Sequence, residues 1–315
     1  MQTLSANKPQ KQKNLVHNFC LCKVFLSIGI TASVFLSSCA VKSPISLVDP
    51  LSVLGPQSTT YVVIPVKQNR DLLNLITSQK DSSEDSKDTD SYKTALDRTE
   101  IVFAGLSTKQ NTERSAALLA FGSYPKAAIS LIFPKKNGWK KVSEKNIGSW
   151  YTSDSLEASI PENGMILAST SGSLRALLTT RHNPEPTSVS PGFSLFAQNA
   201  LEDGRIGVYL SDPAFLVQLI FGSEISFPIT AAEIYAKPPE TKVGTEPAQM
   251  GTEPAYLLSA RIELLNERSA RVFGSILRLT LGISFIQQES AIIISEIPVK
   301  QETLADFVNN MYFLF

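Results

Sequence analysis

The cysteine of Leu36-Ser37-Ser38-Cys39 is the residue of this chain best placed to do chemistry. It follows an apolar run from Val24 to Phe35. That run is too short for a membrane-spanning helix, which needs about 20 apolar residues, and it suits the core of an export signal. Lys8, Lys11, Lys13 and Lys23 lie ahead of or beside the run, and residues 1–38 contain no Asp or Glu. Leu36 and the small Ser38 complete a bacterial lipobox. The expected chemistry is diacylglycerol transfer to the Cys39 thiol, cleavage before it, and acylation (palmitate) of the new terminus.

Cys20 and Cys22 would leave with residues 1–38, so acylated Cys39 would be the last of the three cysteines and no internal disulfide could form. Cleavage would remove four of the 29 Lys and Arg and none of the 29 Asp and Glu, which leaves a mildly acidic chain with no basic field for nucleic acid. Catalytic chemistry has little to work with. The exported part holds one histidine, His182, in a Pro-rich stretch. It has no phosphate loop, dinucleotide fingerprint, nucleophile elbow or Cys/His cluster. The reading is therefore no enzyme, no catalytic residue, no metal and no cofactor. Trp139 and Trp150 suit sugar stacking, a lipid interface, or core and hairpin packing.

Residues 39–57 read as a lipidated tether, and 58–315 as one domain. Within it, 61–66 reads as a strand, and Asn69 as the cap of a helix carrying Leu72, Leu73 and Ile76. The acidic stretch 80–91 reads as a solvated loop. Strands are expected at 100–106 and 116–121, and a meander at 149–153, 156–160 and 165–169 turns at Asn163-Gly164. Residues 181–192 and 237–254 read as connections, the latter with Gly-Thr-Glu-Pro-Ala written twice. Tyr256, Leu258, Ala260, Ile262 and Leu264 alternate as the buried side of a strand. Ser123-Tyr124-Pro125 with Leu131-Ile132-Phe133 echoes Ser211-Asp212-Pro213 with Leu219-Ile220-Phe221, a weak internal repeat of a strand, a turn and a helix.

The helices carry the functional signal. Segments 125–133 and 213–221 are apolar almost all round, so Ile132, Phe133, Phe215, Leu219 and Phe221 either fill a core or meet lipid. Segment 267–282 sweeps Val272, Phe273, Ile276, Leu277, Leu279 and Leu281 over an arc of about 200°, with Arg268, Arg271 and Arg278 in the remainder. That pattern fits an interfacial helix with headgroup-contacting arginines, and equally a core helix with a solvated arginine face. At the C-terminus, Leu304, Phe307, Val308, Met311, Tyr312 and Phe315 recur with helical spacing.

Val48-Asp49-Pro50-Leu51, Tyr61-Val62-Val63-Ile64-Pro65, Phe121-Gly122-Ser123-Tyr124-Pro125, Leu131-Ile132-Phe133, Gly138-Trp139, Ser159-Ile160-Pro161 and Glu233-Ile234-Tyr235 occur in this order. As an ordered set over residues 48–315, the chain resembles the treponemal outer-membrane lipoproteins whose amphipathic helices insert into the periplasmic leaflet. The resemblance implies an α/β/α-type fold, closed and open states around an apolar cavity, a periplasm-facing position on the outer membrane of a spirochaete, and raised bilayer permeability. The combined expectation is an α+β fold, a mixed, largely antiparallel sheet flanked by amphipathic helices, with membrane lipid as partner. The rivals are a carrier lipoprotein holding an acyl chain or glycolipid, and a non-enzymatic envelope-assembly protein.

Overall fold

A computed structural model describes residues 50–54, 58–80, 93–108, 114–170, 172–182, 191–211, 213, 227–239 and 255–311. One sheet organises them. Its strands are β1 (Thr60–Pro65), β2 (Thr99–Thr108), β3 (Arg114–Gly122), β4 (Lys140–Glu144), β5 (Gly148–Thr152), β6 (Leu156–Ser159), β7 (Met165–Thr170), β8 (Ile206–Leu210), β9 (Ile229–Lys237), β10 (Ala255–Leu264), β11 (Ile286–Gln288) and β12 (Ala291–Lys300). They lie in the order β11-β12-β10-β9-β8-β1-β2-β3-β7-β6-β5-β4. Helices include α1 (Pro50–Leu54), α2 (Arg70–Lys80), α3 (Leu174–His182), α4 (Pro191–Glu202), α5 (Glu267–Leu281) and α6 (Gln301–Met311), a further helical stretch covers 93–98, and short turns cover Lys126–Ala128, Ile129–Ile132 and Lys135–Asn137.

The expected fold class needs correction. The sheet is not mixed and the architecture is not α/β/α-type, because every strand pair is antiparallel and all 12 strands belong to one sheet. A parallel neighbour requires a crossover that returns the chain to its starting end. Here no crossover sets parallel strands side by side: β1 and β2 flank α2, yet they pair antiparallel from Thr60↔Leu106 to Pro65↔Ile101. β7 and β8, joined through α3 and α4, and β10 and β11, joined through α5, run the same way but are separated by other strands. Helices are patches on a dominant sheet.

Strand alternation sorts the core onto two faces. On one, Tyr61, Val63, Phe103, Leu119, Phe121, Met165, Leu167 and Tyr209 lie under α1, α3 and α4 through Val53, Leu54, Leu174, Leu178 and Phe196. On the other, Val102, Leu118, Tyr151 and Ile166 lie under Leu96, Ile132 and Phe133. Farther along that face, Ile262, Ile292 and Leu264 lie under α5, and Ala236 and Tyr256 lie under α2 and α6. The expected alternation from Tyr256 to Leu264 holds across a bulge between Leu258 and Ala260.

Three local expectations shift. The tether cannot extend to 57, because Pro50–Leu54 is helical and buries Val53 and Leu54 in the core. Asn69 does not cap α2 with its side-chain oxygen. Its Nδ2 instead donates to Pro65 O (2.8 Å) and Gly204 O (2.9 Å), tying the start of α2 to the turn before β8. The stretch 181–192 is not all connection, since α3 runs through His182 and α4 starts at Pro191, a residue suited to a first helical turn.

Candidate membrane-contact surface

Helix α5 forms where the pattern requires it. Asn266 adopts an extended conformation and its side chain accepts from Ser269 N (2.9 Å), Glu267 sits in the first turn, and Gly282 closes the helix in the left-handed region at φ 66°. Ala270, Phe273, Gly274 and Leu277, spaced i, i+3, i+4 and i+7, face the sheet. Phe273 is 0% and Leu277 1% exposed. The Phe273 ring meets Phe227 edge-on, with centroids 5.0 Å apart. Gly274 matters here for space, because a Cβ at that position would lie 2.4 Å from Phe285 Cζ. The Phe285 ring fills that notch, and Arg278 stacks on it with its guanidinium carbon 4.9 Å from the centroid.

The sheet uses only part of the apolar arc. Val272 and Ile276 each precede a buried residue by one position, so their stripe is rotated about 100° away. Val272 is 50% and Leu279 86% exposed, Ile276 is half-buried, and Leu281 is exposed at the helix end. Arg268, Arg271 and Arg278 are all exposed on the polar side of α5. Among the described residues none of the three forms an ion pair. The helix therefore offers water an apolar stripe, Val272–Ile276–Leu279, bordered by arginines.

The expected contact residues divide accordingly. Val272, Leu279 and Leu281 lie on the surface with the three arginines, and Ile276 lies at its margin. Phe273 and Leu277 are core residues in this conformation. So are Ile132 and Phe133, because the Phe133 ring packs 4.8 Å from Trp139 and 5.5 Å from Tyr151 under the opposite end of the sheet. Trp150 is likewise buried, so both tryptophans pack inside. Cys39, Phe215, Leu219 and Phe221 lie outside the described residues. Sequence reasoning missed the exposed Leu265 and Ile286 and the Gly274–Phe285 contact. The signal for the last was a lone glycine inside a helical pattern, which often marks close packing. Among the described residues no helix is long and apolar enough to cross a membrane.

The arrangement presents an apolar and cationic surface, and comparison with known proteins agrees with an envelope setting. A curated relative, "Outer membrane protein TP0453" of Treponema pallidum (strain Nichols), is 23% identical over 270 residues, covering 84% of this chain and 86% of that protein. Crystal form I of TP0453 superposes with a TM-score of 0.61 at 22% identity, over 84% of this chain and 98% of the other. Crystal form IV superposes with a TM-score of 0.63 at 21% identity, over 83% and 97%. The model of the family described as outer membrane-associated lipoprotein TP0453 matches residues 46–305. This chain belongs to the outer membrane-associated lipoprotein TP0453 family.

Proposed function

We propose that this outer-membrane lipoprotein is not an enzyme, and that it lays the outward stripe of α5 on the periplasmic leaflet and loosens the packing there. The observation that carries the reading is the 86% exposure of Leu279, in line with Val272 and Ile276 and beside three arginines without acidic partners. Each fully buried large apolar side chain gains about 1.5–3 kcal/mol on leaving water, so a partly exposed stripe of three supplies enough for reversible contact. Two acyl chains on Cys39 would already hold the protein at the membrane. The helix is then free for a second task, spreading headgroups while the arginines bind phosphate oxygens, and raised permeability would follow.

Leu279→Glu tests this in the non-acylated chain that starts after Cys39. Its flotation with anionic vesicles should fall several-fold, with its dye release, while its melting temperature stays within about 1 °C, because the residue touches little of the core. Unchanged flotation would remove α5 as the contact. Binding should also weaken between 0.05 and 0.5 M salt, since exposed charges are screened. Separately, Cys39→Ala should abolish incorporation of labelled palmitate; a variant still labelled would carry its lipid elsewhere.

A further inference from the structure

The far edge of the sheet carries a different surface. β4 is the terminal strand, and among the described residues nothing pairs with its outer side. Val142 lies opposite Trp150 and packs toward the α3–α4 face, whereas Lys141 lies opposite Tyr151 on the other face. Lys140 and Lys141 therefore splay to both sides of the rim. Lys135, in the turn before β4, and Lys145, at the hairpin tip, extend the row. All four are exposed, and among the described residues none has an ion-pair partner. The one acid on the strand, Glu144, is occupied: Arg175 Nε donates to Oε2 (2.8 Å) and its NH2 to Oε1 (2.7 Å), which holds that carboxyl below its usual range.

We propose that this edge is a docking site for an extended acidic segment of a partner protein, which adds to the sheet beside β4. Edge lysines commonly discourage strand addition because an apolar or basic newcomer would strip or oppose their charge. The same row attracts a strand carrying carboxylates. The free main-chain groups of the rim give the ladder, and the lysines on both faces select the charge. A lysine is a mobile point charge without a fixed fork, which fits a run of carboxylates better than one tightly held phosphate. In the strand order the edge is far from the strands under α5: β4 is ten strand intervals from β12. The inference does not rest on the membrane reading.

The test uses the full acylated chain in uncharged detergent and a fluorescent eight-residue peptide of repeated Glu-Glu-Val-Val, which puts carboxylates on both faces of a strand, read by anisotropy. The peptide should bind, and binding should weaken several-fold between 50 and 300 mM salt. The triple variant K140Q/K141Q/K145Q should bind at least about tenfold more weakly. A Gln–Val peptide, and a Glu–Val peptide N-methylated at alternate residues, should each lose as much, the first for charge and the second for the ladder. Equal binding of the N-methylated peptide would reduce the edge to a diffuse charge patch and overturn the proposal. So would equal binding by the triple variant, or no peptide binding at all.

Discussion

Phe273→Ala should destabilise the protein by about 3–5 kcal/mol, whereas Leu279→Ala, six residues along the same helix, should cost under about 0.5 kcal/mol. Phe273 is wholly buried between α5 and the sheet, against Phe227 and the cluster of Leu210, Ala232, Ile262 and Ile292. Truncation removes the ring and leaves a cavity that a sheet hydrogen-bonded on both sides of β10 cannot collapse to fill. Leu279 has no such surroundings. Urea denaturation of the two variants measures the difference directly. The comparison also separates the two readings of the 267–282 pattern, because it reports which part of the apolar arc the fold consumes. Equal costs at both positions would mean that α5 is not docked by the Ala270–Phe273–Gly274–Leu277 face. Flotation then needs Leu279 rather than Phe273 as its probe, since a charge at Phe273 would unfold α5 from the sheet before lipid entered the question.

The same helix shows where sequence reading reaches its end. The 3.6-residue period alone reads 267–282, and the structure has α5 at Glu267–Leu281, with Asn266 and Gly282 as its caps. The arc is continuous, however, and period alone does not say which part of it a sheet takes. The choice falls to tertiary fit: Gly274 admits Phe285, and that contact sets the rotation of the helix. β10 was legible because one of its faces is apolar and the other polar. β9, with three alanines in Ile229–Lys237, and β4, Lys-Lys-Val-Ser-Glu, offer no such contrast, the first because small residues suffice where helices press close and the second because it is an edge. α3 and α4 were hidden by the Pro-rich segment between them. The all-round apolar run at 125–133 left core and lipid open, and Phe133 between Trp139 and Tyr151 puts it in the core. The single antiparallel sheet was illegible for a topological reason: alternating strands and helices read alike whether or not the helix crosses over.

Gly122→Ala should be among the most damaging single-methyl additions, at about 3 kcal/mol. Gly122 ends β3 within Phe121-Gly122-Ser123-Tyr124-Pro125, and a Cβ there would lie 1.9 Å from Arg98 O and 2.9 Å from Thr99 Cα. Both are backbone atoms that cannot swing aside. Arg98 O accepts from Ser123 N (2.7 Å), Gly122 N donates to Gly164 O (2.9 Å), and Gly164 N donates to Tyr124 O (2.8 Å). The methyl group would have to part three chain segments at once. The knot also orients Tyr124, whose buried hydroxyl bonds Thr99 and whose pKa burial pushes up to about 12. Gly138→Ala is the matched control. Gly138 sits at φ 83° with open space around it, so its cost is conformational strain alone, about 1 kcal/mol. At roughly 2–4 °C per kcal/mol for a domain of this size, the Gly122 variant should melt about 6–12 °C below the parent and the Gly138 variant about 2–4 °C below. The order of the two, more than either value, is what the backbone approach at Arg98 requires, and a Gly122 variant melting with the parent would show that β2 and β3 do not close on each other there.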